Sequence, residues 1–175
     1  MKNRRITVKR TLIALLLVTA SAGLQGQPQE PAYGSIDGIL AALYGSIGCG
    51  PGRPPRTEVM RTLYLPEARL VRMTKDGSNR MDLDGFLSSF LDRIRKGEIQ
   101  TFVEEEIARR TEAFGSIAQV FSVYRKGLNT MKPEEFVRGI NSLQLINDGR
   151  RWWIVSIIWQ DETPDHSIPD IYFKK

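Results

Sequence analysis

The stretch that decides the fold runs from Gly139 to Glu162, GINSLQLINDGRRWWIVSIIWQDE, in which two apolar arms flank Asn147-Asp148-Gly149-Arg150. Asp-Gly between such arms is the strongest short-range hairpin signal, because a type I′ turn needs φ > 0 at both central residues. With Asp148-Gly149 at the tip, Asn147 faces Arg150, Leu145 faces Trp152, Leu143 faces Ile154 and Asn141 faces Ser156. Alternation along each strand then sorts the arms into two faces. Asn141, Leu143, Leu145, Trp152, Ile154 and Ser156 form an apolar face with two small polar groups, assigned to a pocket. Gln144, Trp153, Val155, Ile157 and Trp159 form the other, a mixture typical of protein contact surfaces, assigned to a second subunit. The reverse assignment stays open. The arm from Trp152 to Trp159 is too apolar to leave one side wet and should be covered on both.

Upstream, Phe102 to Glu112 and Ile117 to Lys126 read as a second hairpin turning at Gly115-Ser116. Its register pairs Glu112 with Gln119, Arg110 with Phe121 and Glu106 with Arg125, and on the other face Arg109 with Ser122 and Ile107 with Tyr124. Three helices precede these strands. Ser35 caps Ile36–Ile47, whose apolar positions recur at three- and four-residue steps. Thr57 caps a short helix to Leu65, stopped by Pro66. Asp82 caps a third helix to Lys96, closed by Gly97. Ala68 to Thr74 reads as a short strand between the last two. The fold class is therefore α+β: a strongly curved antiparallel sheet with three N-terminal-side helices covering its concave face. Gly48 to Pro55 carries glycines with Arg53 nearby, but a phosphate cradle needs a preceding strand and a following helix N-terminus, so the loop reads as a rigid connection.

The chain has 175 residues, with 25 basic and 20 acidic side chains and a net charge of +5. Residues 1–10 hold five of the basic residues and no acid, followed by the apolar run Leu12 to Val18 and the small residues Ala20-Ser21-Ala22. They read as a signal peptide cleaved after Ala22, followed by a disordered linker at 23–34 and a single domain at 35–175. Cleavage leaves 20 basic and 20 acidic residues, so the high charge is no argument for nucleic acid. The expectation is an exported protein, periplasmic or secreted, with no stable membrane anchor after cleavage. Cys49 is the one cysteine and His166 the one histidine, so neither an internal disulfide nor a histidine-rich metal site is expected. No metal and no cofactor is assigned.

The segments Asp148 to Val155 (DGRRWWIV), Leu63 to Leu70 (LYLPEARL) and Phe114 to Tyr124 (FGSIAQVFSVY), with the order of elements, resemble the NTF2-like superfamily, above all its SnoaL-like bacterial members. The resemblance covers residues 35–162. It implies a cone with a pocket between helices and concave sheet, and often a homodimer through the convex face. It does not choose among isomerases, dehydratases, hydrolases, cyclases and non-enzymes.

Proton-moving members of the superfamily use an acid or a histidine pair in the cone, with a tyrosine or acid steadying the oxyanion. Here the histidine pair is absent and the pocket face of the last hairpin carries no carboxylate. No catalytic residue is assigned; Glu105 or Glu106 as base with Tyr44 or Tyr124 as donor is the arrangement to test. Each has a plainer role: Tyr44 as core with its hydroxyl near the rim, and the Glu104-Glu105-Glu106 run as a solvated face whose ion pairs contribute roughly 0–1 kcal/mol. The expected pocket is Tyr44, Asn141, Leu143, Leu145, Trp152, Ile154 and Ser156. It would bind a small, largely apolar molecule; a cofactor-independent lyase, isomerase or hydrolase, or a structural dimer, are the alternatives. A buried carboxylate in an open pocket favours the enzyme.

Overall fold

The computed structural model describes residues 33–173, so the expected signal peptide and nearly all of the expected linker lie outside the described residues. Helix α1 (Ile36–Ile47) begins where Ser35 Oγ accepts the Gly38 N–H at 3.0 Å. Helix α2 (Thr57–Leu63) starts at Thr57 without a side-chain cap, and it is shorter than expected. Strand β1 (Tyr64–Thr74) takes over at once, carrying Pro66 inside it. The missing proline N–H costs nothing there, because the pairing of β1 with its neighbour skips from Tyr64 to Arg69. A strand that sequence patterning missed, β2 (Gly77–Met81), folds back on β1. Helix α3 (Leu83–Arg95) follows, with Asp82 accepting the Gly85 N–H at 2.8 Å.

The two hairpins complete the sheet: β3 (Phe102–Phe114) with β4 (Ile117–Leu128), and β5 (Val137–Asn147) with β6 (Trp152–Asp161). The six strands lie in the order β2-β1-β6-β5-β4-β3. Every neighbouring pair is antiparallel except β1 with β6, which is parallel. Helices α1 and α2 pack on the inner face, where Ile39, Leu40 and Leu63 meet Val120, Leu143, Leu145 and Ile154, all at most 1% exposed. Each such side chain contributes roughly 1.5–3 kcal/mol by leaving water, which makes this contact the anchor of the fold.

Two bulges set which side chains face inward. On β3 the register slips by one residue at Ile107: Arg109 pairs with Ser122, but Glu106 pairs with Tyr124 and Glu105 with Arg125. The expected pairs Glu106–Arg125 and Ile107–Tyr124 are therefore replaced. On β6 the slip falls at Val155, between Leu145–Ile154 and Gln144–Ser156. The tip of this hairpin also differs, since Asp148 N–H bonds Arg151 C=O at 3.1 Å and Asn147 sits opposite Trp152. The Asp148 carboxylate takes the N–H groups of Arg150 and Arg151 and the indole N–H of Trp153 at 2.9–3.0 Å. These bonds hold its pKa down at about 2 and centre the turn on Gly149-Arg150, with Gly149 at φ +90. That shift moves the register by two residues and leaves the faces of Trp152 and Ile154 as expected. The bulge at Val155 then reverses everything after it, so Asn141 lies opposite Trp159 and not Ser156.

Past β6 the chain crosses the outer face of the sheet, where Tyr172 stacks on Phe121 with ring centroids 5.8 Å apart. Ile158 remains 43% exposed on the outer side of β6, so the cover expected there is incomplete within one chain.

Candidate functional site

Between α3, α1 and the concave sheet lies an open cavity of about 420 Å³. Its walls are mostly apolar, with Leu43, Met60, Leu70, Phe86, Phe90 and Ile157 prominent among them. Trp159 forms one wall, its ring edge-on to Phe86 at 6.0 Å. Ile157 and Trp159, expected on a partner face, thus point inward because of the Val155 bulge, and Ser156 turns outward. Leu143, Leu145, Trp152 and Ile154 pack in the core and do not border the cavity. Tyr44 and Asn141 do border it.

The carboxylate in this wall is Glu104, which patterning had left on a solvated face. A strand bearing three successive glutamates must turn at least one inward. The Ile107 bulge decides which: Glu104 and Glu106 go in, and Glu105 goes out to pair with Arg125. Glu104 is half-buried and lines both this cavity and a second one behind it. Its Oε1 accepts Asn141 Nδ2–H at 3.1 Å. Burial raises its pKa, against the opposing pull of the Asn141 bond and the Lys126 charge.

A directed chain of hydrogen bonds fixes Asn141. Ser122 Oγ–H donates to Glu106 Oε1 at 2.6 Å, and Arg109 holds the other oxygen of Glu106 at 3.3 Å. A hydroxyl has one proton, so at the 2.6 Å contact between Tyr44 and Ser122 the donor is Tyr44. The Tyr44 oxygen accepts in turn from Asn141 Nδ2–H at 3.0 Å. Tyr44 therefore sends its proton into the protein, away from the cavity. Burial, then the Glu104 charge, raises its pKa and keeps that proton in place.

Tyr124 is committed as well: it donates to Asp161, which also holds Lys126. Burial works against the Asp161 carboxylate, but these two bonds and the charges of Lys126 and Arg72 outweigh it and lower its pKa. Of the expected catalytic candidates, then, Glu105 is outside, and Glu106 and Tyr124 serve internal bonds.

The cavity holds a tyrosine that sequence reading did not single out. Tyr64 is 4% exposed and borders the cavity. Burial, then the charge of Glu104, raises its pKa, so it stays protonated as a donor. No signal within LYLPEARL separates Tyr64 from ordinary core.

A second cavity, of about 390 Å³, lies behind Tyr44 and Glu104, lined also by Gly45, Gly48, Arg53 and Arg56. The Gly/Pro loop thus reaches the back of the site, with Arg56 tied to the Gly45 carbonyl at 2.9 Å. The site as a whole offers a carboxylate of raised pKa beside a protonated phenol in an apolar enclosure, a combination suited to moving a proton to and from carbon.

The sequence matches no protein-family model and no curated protein. Solved structures do match. A protein with a cystatin-like fold from Caulobacter vibrioides aligns at TM-score 0.54 and 12% identity, over 74% of this chain and 89% of that one. One with a cystatin-like fold from Nostoc punctiforme aligns at 0.54 and 9% identity, over 74% and 90%. An NTF2-like protein of unknown function from Shewanella baltica aligns at 0.51 and 13% identity, over 71% and 89%. The fold is the NTF2-like cone, α+β, with a curved, unclosed sheet and, among the described residues, three α-helices.

Proposed function

We propose that the cavity takes a small, largely apolar molecule and moves a proton on it without a cofactor, as in the SnoaL-like enzymes the sequence resembles. The observation that carries this reading is Glu104, a carboxylate of raised pKa set in the wall of an open apolar cavity. Glu104 takes a proton from a carbon beside a carbonyl. The C–H electron pair passes into the carbonyl, and the enolate oxygen accepts the Tyr64 O–H. The enolate electrons then take the proton back from Glu104 at another carbon, or they form a double bond and expel a group from the β-carbon, which leaves with the Glu104 proton: isomerisation or elimination. General-base catalysis of this kind contributes roughly 10²–10⁴-fold. The test is solvent-deuterium incorporation into a panel of apolar ketones and β,γ-unsaturated ketones, followed by NMR. Glu104→Gln should lower the rate at least ~100-fold, while Glu105→Gln, on the outer surface, should leave it unchanged. An unaltered rate in Glu104→Gln refutes the assignment. Binding without exchange across the panel favours the second reading, an apolar carrier, which the predominantly apolar walls support.

We also propose export through residues 1–22 with cleavage after Ala22, testable by N-terminal sequencing of the exported chain. A homodimer is proposed through the outer face of β5 and β6, with Gln144, Trp153, Val155 and Ile158; a monomer in gel filtration at micromolar concentration would refute it.

A further inference from the structure

One row of side chains crosses the whole sheet on its concave side. Register aligns Asn79 on β2, Arg72 on β1, Trp159 on β6, Asn141 on β5, Ser122 on β4 and Arg109 on β3. The half from Asn141 to Arg109 is the hydrogen-bond chain already described, and its groups satisfy one another. The other half is not closed. Arg72 has Asp161 as its ion partner at 3.8 Å, too long for a hydrogen bond. The same carboxylate is already engaged by Tyr124 and Lys126. Two cations thus share one carboxylate, and both cations border the cavity. Arg72 is 46% exposed, which places its guanidinium at the cavity mouth with donors to spare.

We infer that the Arg72–Lys126 corner receives the anionic head of the cavity's ligand, which makes the ligand an amphipathic carboxylate. The inference rests on the binding reading of the cavity and adds the substrate class. The ligand's apolar body then lies along Trp159 and Phe86, which meet edge to face in the cavity wall.

The experiment compares decanoate, decanol and decylammonium by calorimetry, on the wild type and on Arg72→Gln and Arg72→Lys. Decanoate should bind more tightly than the other two. Arg72→Gln should weaken decanoate about tenfold, the size of a charge-assisted hydrogen bond, and leave decanol within about twofold. Arg72→Lys should keep part of the preference, and thermal melts identify any loss due to unfolding. Equal binding of decanoate and decanol overturns the head-group inference while leaving the apolar cavity in use. Equal weakening of both by Arg72→Gln overturns it too. Failure of all three to bind overturns the binding reading itself.

Discussion

Replacing Tyr44 by Phe tests the direction of the hydrogen-bond chain on which the site's chemistry depends. The ring stays in the apolar stripe of α1, and what leaves is one oxygen with two bonds, to Ser122 at 2.6 Å and from Asn141 at 3.0 Å. Neither neighbour is left without a partner: Asn141 still donates to Glu104, and Ser122 still donates to Glu106. The cost should therefore be that of two neutral buried bonds, about 1 kcal/mol each and roughly 2 kcal/mol together, without the larger penalty for an orphaned group. For a domain of this size that lowers the melting temperature by about 4–8 °C. In urea the midpoint should fall by roughly 1 M with the slope unchanged. Deuterium exchange should fall less than about tenfold, because Tyr44 only orients Asn141, whereas Tyr64→Phe removes the donor proposed for the enolate oxygen and should cost more. Calorimetric melting, urea titration and exchange on the same preparations decide the matter. An unchanged melting temperature with exchange abolished would refute the reasoning, since the Tyr44 proton would then point into the cavity.

Gly139 lies opposite Tyr124, and an added Cβ would fall inside contact with the Tyr124 hydroxyl and 2.5 Å from the Gln160 carbonyl oxygen. Gly139→Ala should destabilise by about 3 kcal/mol through overpacking and loss of the Tyr124–Asp161 bond, measured by chemical denaturation. Glu104 gives a pH signature. Its folded pKa is raised, so the stability tied to its neutral form is fully present below the unfolded value and is lost as pH rises through the folded one. Glu104→Gln should therefore melt above the wild type at pH 8 and show no such gain at pH 4; a pH-independent difference would contradict the burial of this carboxylate.

Much of the architecture was written in local pattern. Ser35 and Asp82 cap helices where expected, since a side-chain oxygen bonding a backbone N–H three residues on is a purely local geometry. The Phe114-Gly115-Ser116 turn and the tip region of the last hairpin follow from glycines that accept positive φ. Strand β2 and the parallel seat of β1 beside β6 were not legible, because GSNRM has no apolar face and a parallel partner lies far along the chain.

The hairpin of residues 139–162 shows where the division falls. The sequence alone determined that these residues pair and that Asn141, Leu143 and Ile154 share one face, because side chains alternate with a period of two, while which face turns inward stayed open. Only the tertiary structure decided that Trp159 lines the cavity, that Glu104 faces it and that Glu105 does not. Each of those outcomes turns on a single inserted residue, Val155 on β6 and Ile107 on β3. A bulge reverses every side chain beyond it. The apolar run WWIVSIIW and the acidic run EEE are alike on both faces, so neither carries a local mark of where the reversal occurs.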